Sequence, residues 1–143
     1  MSNSYDDVMA RRSDIMRQAL ALDYDSFQHG DLVFDYDALM SSTGYRLDDV
    51  ARIQAETKVG HTPLYELHRL TEAVREIAGP GKGARILLKD EAANASGSFK
   101  SRRASLSAHE AQVKGFAGMV TATSGNYGAA VASQAAQRGL ALS

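Results

Sequence analysis

Between Ala84 and Ser143 the hydrophobic period changes repeatedly, and that alternation limits what the chain can fold into. The compact apolar run Ala84-Arg85-Ile86-Leu87-Leu88-Lys89 follows the turn-former Gly79-Pro80-Gly81-Lys82-Gly83 and predicts a buried strand. From Ser98 to Lys114 no glycine or proline intervenes, and Phe99, Leu106 and Val113 recur every seven residues, which predicts a helix. Gly118 to Thr123 reads as a second strand, Asn126 to Arg138 as an alanine-rich helix, and Leu140-Ala141-Leu142 as the opening of a third strand. Strand, helix, strand, helix, strand is the pattern of an α/β fold, a parallel sheet with crossover helices. Ligands of such sheets gather beyond the carboxyl ends of the strands, where helices begin. The sequence stops inside the third strand, so the expectation is the front portion of a longer polypeptide.

The residues ahead of this region differ in character. Residues 1–56 carry a net charge of −6 and residues 57–143 one of +5. The basic part would attract a phosphorylated ligand, and the acidic part reads as a solvated or partner-facing surface. Val8, Ile15, Met16, Ala19 and Leu20 place one face of a helix over about Tyr5 to Leu22. Asp23 to Asp37 alternates acids with Tyr24, Phe27, Leu32, Phe34 and Tyr36 and reads as an irregular wrapping segment whose rings are packing anchors. Leu47, Val50, Ala51 and Gln54 mark a further short helix. The expected organisation is an acidic, mostly helical N-terminal extension over 1–57, then an α/β region over 58–143 that is incomplete at its C-terminus.

Composition narrows the function. An overall charge of −1 argues against a general nucleic-acid binder, and the absence of cysteine removes disulfides, thiolate metal sites and a protein thiol nucleophile. His29, His61, His68 and His109 are scattered without ligand spacing, so no metal site is expected. His109-Glu110 has no second histidine four residues on, and Gly79–Gly83 lacks phosphate-loop spacing. The acidic, polar start is unlike a secretory signal and no apolar stretch approaches a bilayer span, so a cytoplasmic protein without a membrane role is the default. The glycosylation pattern at Asn94-Ala95-Ser96 then carries no meaning.

Both expected strand-to-helix junctions carry chemistry. Asn94-Ala95-Ser96-Gly97-Ser98-Phe99-Lys100 and Thr121-Ala122-Thr123-Ser124-Gly125-Asn126-Tyr127-Gly128 each put glycine and small hydroxyl residues ahead of a helix, where free N–H groups and the dipole favour an anion. A lysine in a first helical turn, such as Lys100, faces the positive end of the dipole. That and partial burial favour the free amine that Schiff-base chemistry needs. The alternative is a solvated lysine in a basic turn with Arg102 and Arg103. Thr123-Ser124-Gly125-Asn126 offers two hydroxyls, a side-chain amide and several N–H donors, suited to a carboxylate or phosphate. The alternative is an ordinary N-cap made by Ser124 or Asn126.

Taken together, NASGSFKSRR and TATSGNYGAA resemble the lysine segment and asparagine loop of fold-type II pyridoxal-phosphate enzymes, the group of threonine synthase, cysteine synthase and the tryptophan synthase β chain. Gly60-His61-Thr62-Pro63-Leu64 resembles the segment that opens their catalytic domains. The segments SYDDVMARRSDIM, DYDSF, FDY and ARILLKDEAANASGSFKSRRASLS resemble a thiolase branch of that group. In that branch a β subunit works with a smaller α subunit in an oligomer and takes coenzyme A as cosubstrate. Ala95 stands where the wider group has proline, and Ser101 where it has aspartate. The resemblance implies pyridoxal 5'-phosphate held covalently by Lys100, which would also act as the base at the substrate's Cα. Asn126 would bind the cofactor's ring hydroxyl oxygen, and Thr123, Ser124, Gly125 and Tyr127 the carboxylate of an amino-acid substrate. Two other readings stand beside it: a threonine-synthase-like enzyme, and a non-catalytic structural or partner-binding fragment.

Overall fold

The computed structural model describes residues 4–30 and 32–143; the side chain of Leu20, expected on the first helical face, lies outside the described residues. The chain divides into two compact units, Met1–Arg46 and Leu47–Ser143.

In the first unit the single helix expected over Tyr5 to Leu22 is two, α1 (Tyr5–Ala10) and α2 (Arg12–Leu20). The break falls at Arg11, whose backbone leaves the helical region at φ −104°, ψ 8°. Ser4 caps α1, its Oγ accepting from the Asp7 N–H at 3.3 Å, and Asp6 and Asp7 face the positive helix end. The wrapping segment holds more order than its sequence pattern suggested. Strands β1 (Gln28–His29) and β2 (Val33–Phe34) pair antiparallel, and α3 (Tyr36–Ser42) starts on Asp35, whose Oδ1 accepts from the Ala38 N–H at 2.8 Å. Among the described residues none of these helices buries a side chain. Rings supply the cohesion instead: Phe34 lies 4.5 Å from Tyr24, 6.3 Å from Phe27 and 4.8 Å from Tyr36, centroid to centroid.

The second unit is built on helices. Helix α4 (Leu47–Glu56) buries Ile53 and Gln54, and packs on α6 (Lys100–Val113). Strand β3 (Leu64–Glu66) pairs antiparallel with β4 (Leu87–Lys89), the two being joined by α5 (His68–Ala78). Neither β3 nor α5 was expected from the sequence. Thr71 of α5 ties that helix to the start of β4, its buried Oγ1 accepting from the Ile86 N–H at 2.9 Å. Strands β5 (Gly118–Met119) and β6 (Ala141–Leu142) pair in parallel across α7 (Asn126–Gln137), the expected crossover unit. The expected single parallel sheet is therefore seen only in that pair. β4 takes its hydrogen bonds from β3, Leu64 opposite Lys89, Tyr65 opposite Leu88 and Glu66 opposite Leu87.

Helix α6 departs from its heptad. Phe99 and Val113 are exposed, and the buried positions are Ser101, Ala104, Ser105, Ala108 and Ala111. These small residues recur at helical spacing; α6 packs on α7, whose buried positions are Ala130, Val131, Gln134 and Ala135, and Ala104 clusters with Ala130 and Val131. The core therefore consists of backbones in close approach, with Met119 and Tyr127 closing its rim. Among the described residues no helix is long and apolar enough to cross a membrane, and no group of histidines and carboxylates could hold a metal ion.

Ala104 is fully enclosed at this contact. Ala104→Leu should cost about 1–3 kcal/mol by overpacking, whereas Val113→Ser, on the exposed face, should stay within about 0.5 kcal/mol. Urea denaturation of the intact protein measures both.

Candidate functional site

Helix α6 begins without a side-chain cap from its N-cap residue, Phe99, which is itself in helical conformation. Local hydroxyls hold the entry instead. Ser98 Oγ accepts from the Lys100 N–H at 3.4 Å, and the hydroxyls of Ser96 and the fully buried Ser101 lie 2.5 Å apart. Ser101 thus sits in a neutral hydrogen bond at the helix start. The Lys100 side chain is half-buried, and its Nζ rests 4.3 Å from the centroid of the Phe99 ring, a cation–π contact.

The three cations of this turn do not form one solvated patch. Arg102 turns toward Glu91 in a two-pronged pair, Nε donating to Oε2 at 2.7 Å and Nη2 to Oε1 at 2.8 Å. Arg103 lies over the Tyr127 ring, 5.0 Å from its centroid. The Glu91 carboxylate also accepts from Thr62 Oγ1 at 2.7 Å and from Asn94 Nδ2 at 3.0 Å. Asn94 Oδ1 in turn accepts from the Gly60 N–H at 3.0 Å, a residue held at φ +88° where glycine is at ease. Lys89 Nζ donates to the Thr62 carbonyl, and Gln54 Nε2 of α4 donates to the Arg102 carbonyl at 3.3 Å. The Gly60–Leu64 segment and the lysine segment are therefore fastened to each other through Glu91. The Arg102 guanidinium, foremost, with help from Thr62 and Asn94, holds the Glu91 carboxyl down at about 2 against the opposing push of burial.

At the second junction Gly125 is the N-cap of α7, so neither Ser124 nor Asn126 is. Thr123 takes the capping role from further back, its Oγ1 accepting from the N–H of Gly125 at 3.3 Å and of Gly128 at 3.1 Å. Among the described residues the N–H groups of Ser124, Asn126 and Tyr127 take no hydrogen-bond partner. Ser124 and Asn126 are exposed and Tyr127 is half-buried.

The two junctions share one end of the α6–α7 pair. Arg103 meets Tyr127 at the starts of α6 and α7, and Gln112 Oε1 accepts from Arg138 Nη1 at 3.0 Å at their finish, so the helices run side by side in the same sense. Lys100 and the Thr123–Tyr127 turn thus sit at the same, positive, end of a helix pair. An amine, an open side-chain amide and unpaired backbone donors suit a ligand with an aldehyde, a ring oxygen and an anionic group. Sequence reasoning singled out Lys100, Asn126 and the loop, and the structure places them at the starts of α6 and α7. It missed Glu91, Thr62, Asn94, Arg102 and Arg103 as members of the site, because their partners are distant in sequence.

Residues 55–142 match the model of a family described as pyridoxal-phosphate dependent enzyme. The chain belongs to that family. Two curated relatives are both named 2-amino-4-ketopentanoate thiolase beta subunit. One, from an unknown prokaryotic organism, is 57% identical over 137 residues, and the other, from Acetoanaerobium sticklandii, is 54% identical over 137. The match covers 96% of this chain and 29% of each relative, so the chain spans under a third of their length. No solved structure matches it.

Two outcomes follow for this member of the pyridoxal-phosphate family. The Glu91 carboxyl is depressed from 4.5 to about 2 on folding, so its stabilising contribution is complete above about pH 4.5 and is lost as pH falls toward 2. Unfolding free energy measured against pH should decline over that window, and Glu91→Gln should flatten the decline. At Gly128 a Cβ would overlap Thr123 Cγ2. Gly128→Ala, which would stabilise an ordinary helix by about 0.8–1 kcal/mol, should instead cost about 1–3 kcal/mol. Thr123→Ser, which removes that methyl and keeps the hydroxyl, should recover most of the loss in thermal melts of the double variant.

Proposed function

We propose that this chain is the cofactor-bearing front of a thiolase β subunit that cleaves 2-amino-4-oxopentanoate with coenzyme A, giving acetyl-CoA and alanine, in cytoplasmic ornithine degradation. It acts with an α subunit in an oligomer. The observation that carries the reading is the common placement of Lys100 and the Thr123–Tyr127 turn at one end of the parallel α6–α7 pair. The names of the relatives support the substrate, and the family match supports pyridoxal 5'-phosphate.

When bound, that cofactor supplies an electron-withdrawing ring conjugated to the substrate's amino nitrogen. Every other task falls to the chain. Lys100 would hold the cofactor aldehyde through Nζ, and its amine would serve as the base at the substrate Cα. Asn126 would hold the cofactor at its ring hydroxyl oxygen, with its side-chain amide as donor. Thr123, Ser124 and Gly125, with the N–H of Tyr127, hold the substrate carboxylate at the helix N-terminus. That grip sets the orientation of the Cα–H bond toward Lys100. In the net reaction the C3–C4 bond of the substrate breaks, the acetyl group joins the coenzyme A sulfur, and C3 takes a proton to become the methyl of alanine. The sulfur is the cosubstrate's, in keeping with a chain that has no cysteine.

The test uses the full-length chain with its partner subunit, exposed to pyridoxal phosphate and reduced with borohydride. Peptide mass analysis should find the added mass on Lys100, and Lys100→Ala should abolish it and lower acetyl-CoA formation about a thousandfold or more. Mass added elsewhere, or none, would remove the catalytic reading and leave a structural role. Release of inorganic phosphate from a phosphorylated amino acid, without thiolysis, would point to a threonine-synthase-like activity.

A further inference from the structure

We propose that Glu91 and Arg102 act together as a positioning pair for Lys100, fixing the first turn of α6 so that the amine stays on the face shared with Arg103 and the α7 loop. This rests on the reading of Lys100 as the cofactor lysine. Helical residues two apart point about 200° away from each other, so Arg102 leaves α6 on the side opposite Lys100. Lys100 and Arg103, three apart, share a face, and Arg103 lies over Tyr127 of α7. A clamp on Arg102 therefore holds the turn from behind without occupying the space where the amine works.

That clamp is rigid. The guanidinium fork meets the Glu91 carboxylate with two donors at 2.7 and 2.8 Å, and Thr62 and Asn94 donate to the remaining positions on the same carboxylate at 2.7 and 3.0 Å. Thr62 is 6% and Asn94 4% exposed, so the pair is anchored in buried structure. With four donors on its two oxygens, Glu91 has no lone pair free to act as a base on substrate, and its influence passes through Arg102. The clamp adds to the hold that Ser98 gives the helix start through the Lys100 N–H. A lysine at 102 would keep the charge and lose the fork.

The experiment compares Arg102→Lys, Glu91→Gln and the double variant with wild type, in the full-length chain with its partner and stripped of cofactor. The rate at which pyridoxal phosphate is fixed on Lys100 by borohydride is followed by peptide mass, with exposed Lys82 in the same molecules as the internal standard. Each single variant should slow fixation at Lys100 by about tenfold to a hundredfold relative to Lys82, since a misplacement of about 1 Å costs on that scale. The double variant should be no slower than the slower single, because the two residues act as one unit. After reloading, kcat should fall with KM little changed. Circular dichroism selects variants that fold, and if Glu91→Gln does not, Arg102→Lys carries the comparison. Unchanged fixation at Lys100 in folded variants, or losses that add, overturns the pair while leaving the cofactor lysine standing. A wild-type chain that takes no aldehyde at Lys100 overturns that reading and the pair with it.

Discussion

Two helices can present their starting turns to one ligand only if their backbones come close and run in the same sense. In this protein the close approach of α6 and α7 is made by what their facing surfaces lack. The buried positions of α6 are Ser101, Ala104, Ser105, Ala108 and Ala111, and Ala104 packs with Ala130 and Val131 of α7, so small side chains dominate the contact. Dispersion between closely packed atoms replaces the bulk of large apolar side chains. The apolar burial is correspondingly modest: Ile53, Val59 and Val131 are the largest fully enclosed apolar side chains among the described residues.

Polar ties at both ends make up for that thin core. At the starting end, Glu91 gathers Arg102, Thr62 and Asn94 from separate parts of the second unit. At the finishing end, Arg138 donates to Glu56 at 3.0 Å, to the Ile53 carbonyl at 3.4 Å and to Gln112 at 3.0 Å, joining α4, α6 and α7. The Arg138 guanidinium, foremost, holds the Glu56 carboxyl below the usual carboxylate range. Isolated surface ion pairs contribute little. These two differ in that Glu91 and Arg138 are each held by several partners at once, which makes removal of either costly.

How much was legible in the sequence follows from the range of the interactions. Helices α4, α6 and α7 and the β5–α7–β6 crossover were readable because their signals are local: period, small residues, and glycine or hydroxyl residues at the junctions. Lys100 and the Thr123–Tyr127 turn were readable for the same reason, as neighbours in a motif. The antiparallel pairing of β3 with β4 was hidden because it joins segments on either side of α5, and the parallel reading had claimed β4 for another sheet. The buried face of α6 was misread because exposed Phe99 and Val113 mimic a heptad, while the true contact is made by residues too small to register as hydrophobic. Glu91 was hidden in a different way. Eleven positions separate it from Arg102 and twenty-nine from Thr62, so only folding brings them together.

The Phe99 ring under Lys100 has a consequence of its own. What attracts the nitrogen to the ring is its positive charge, and at such a site the attraction is worth only about 0.5–1 kcal/mol. A hold that shallow, close to thermal energy, parks the amine in a defined place without trapping it.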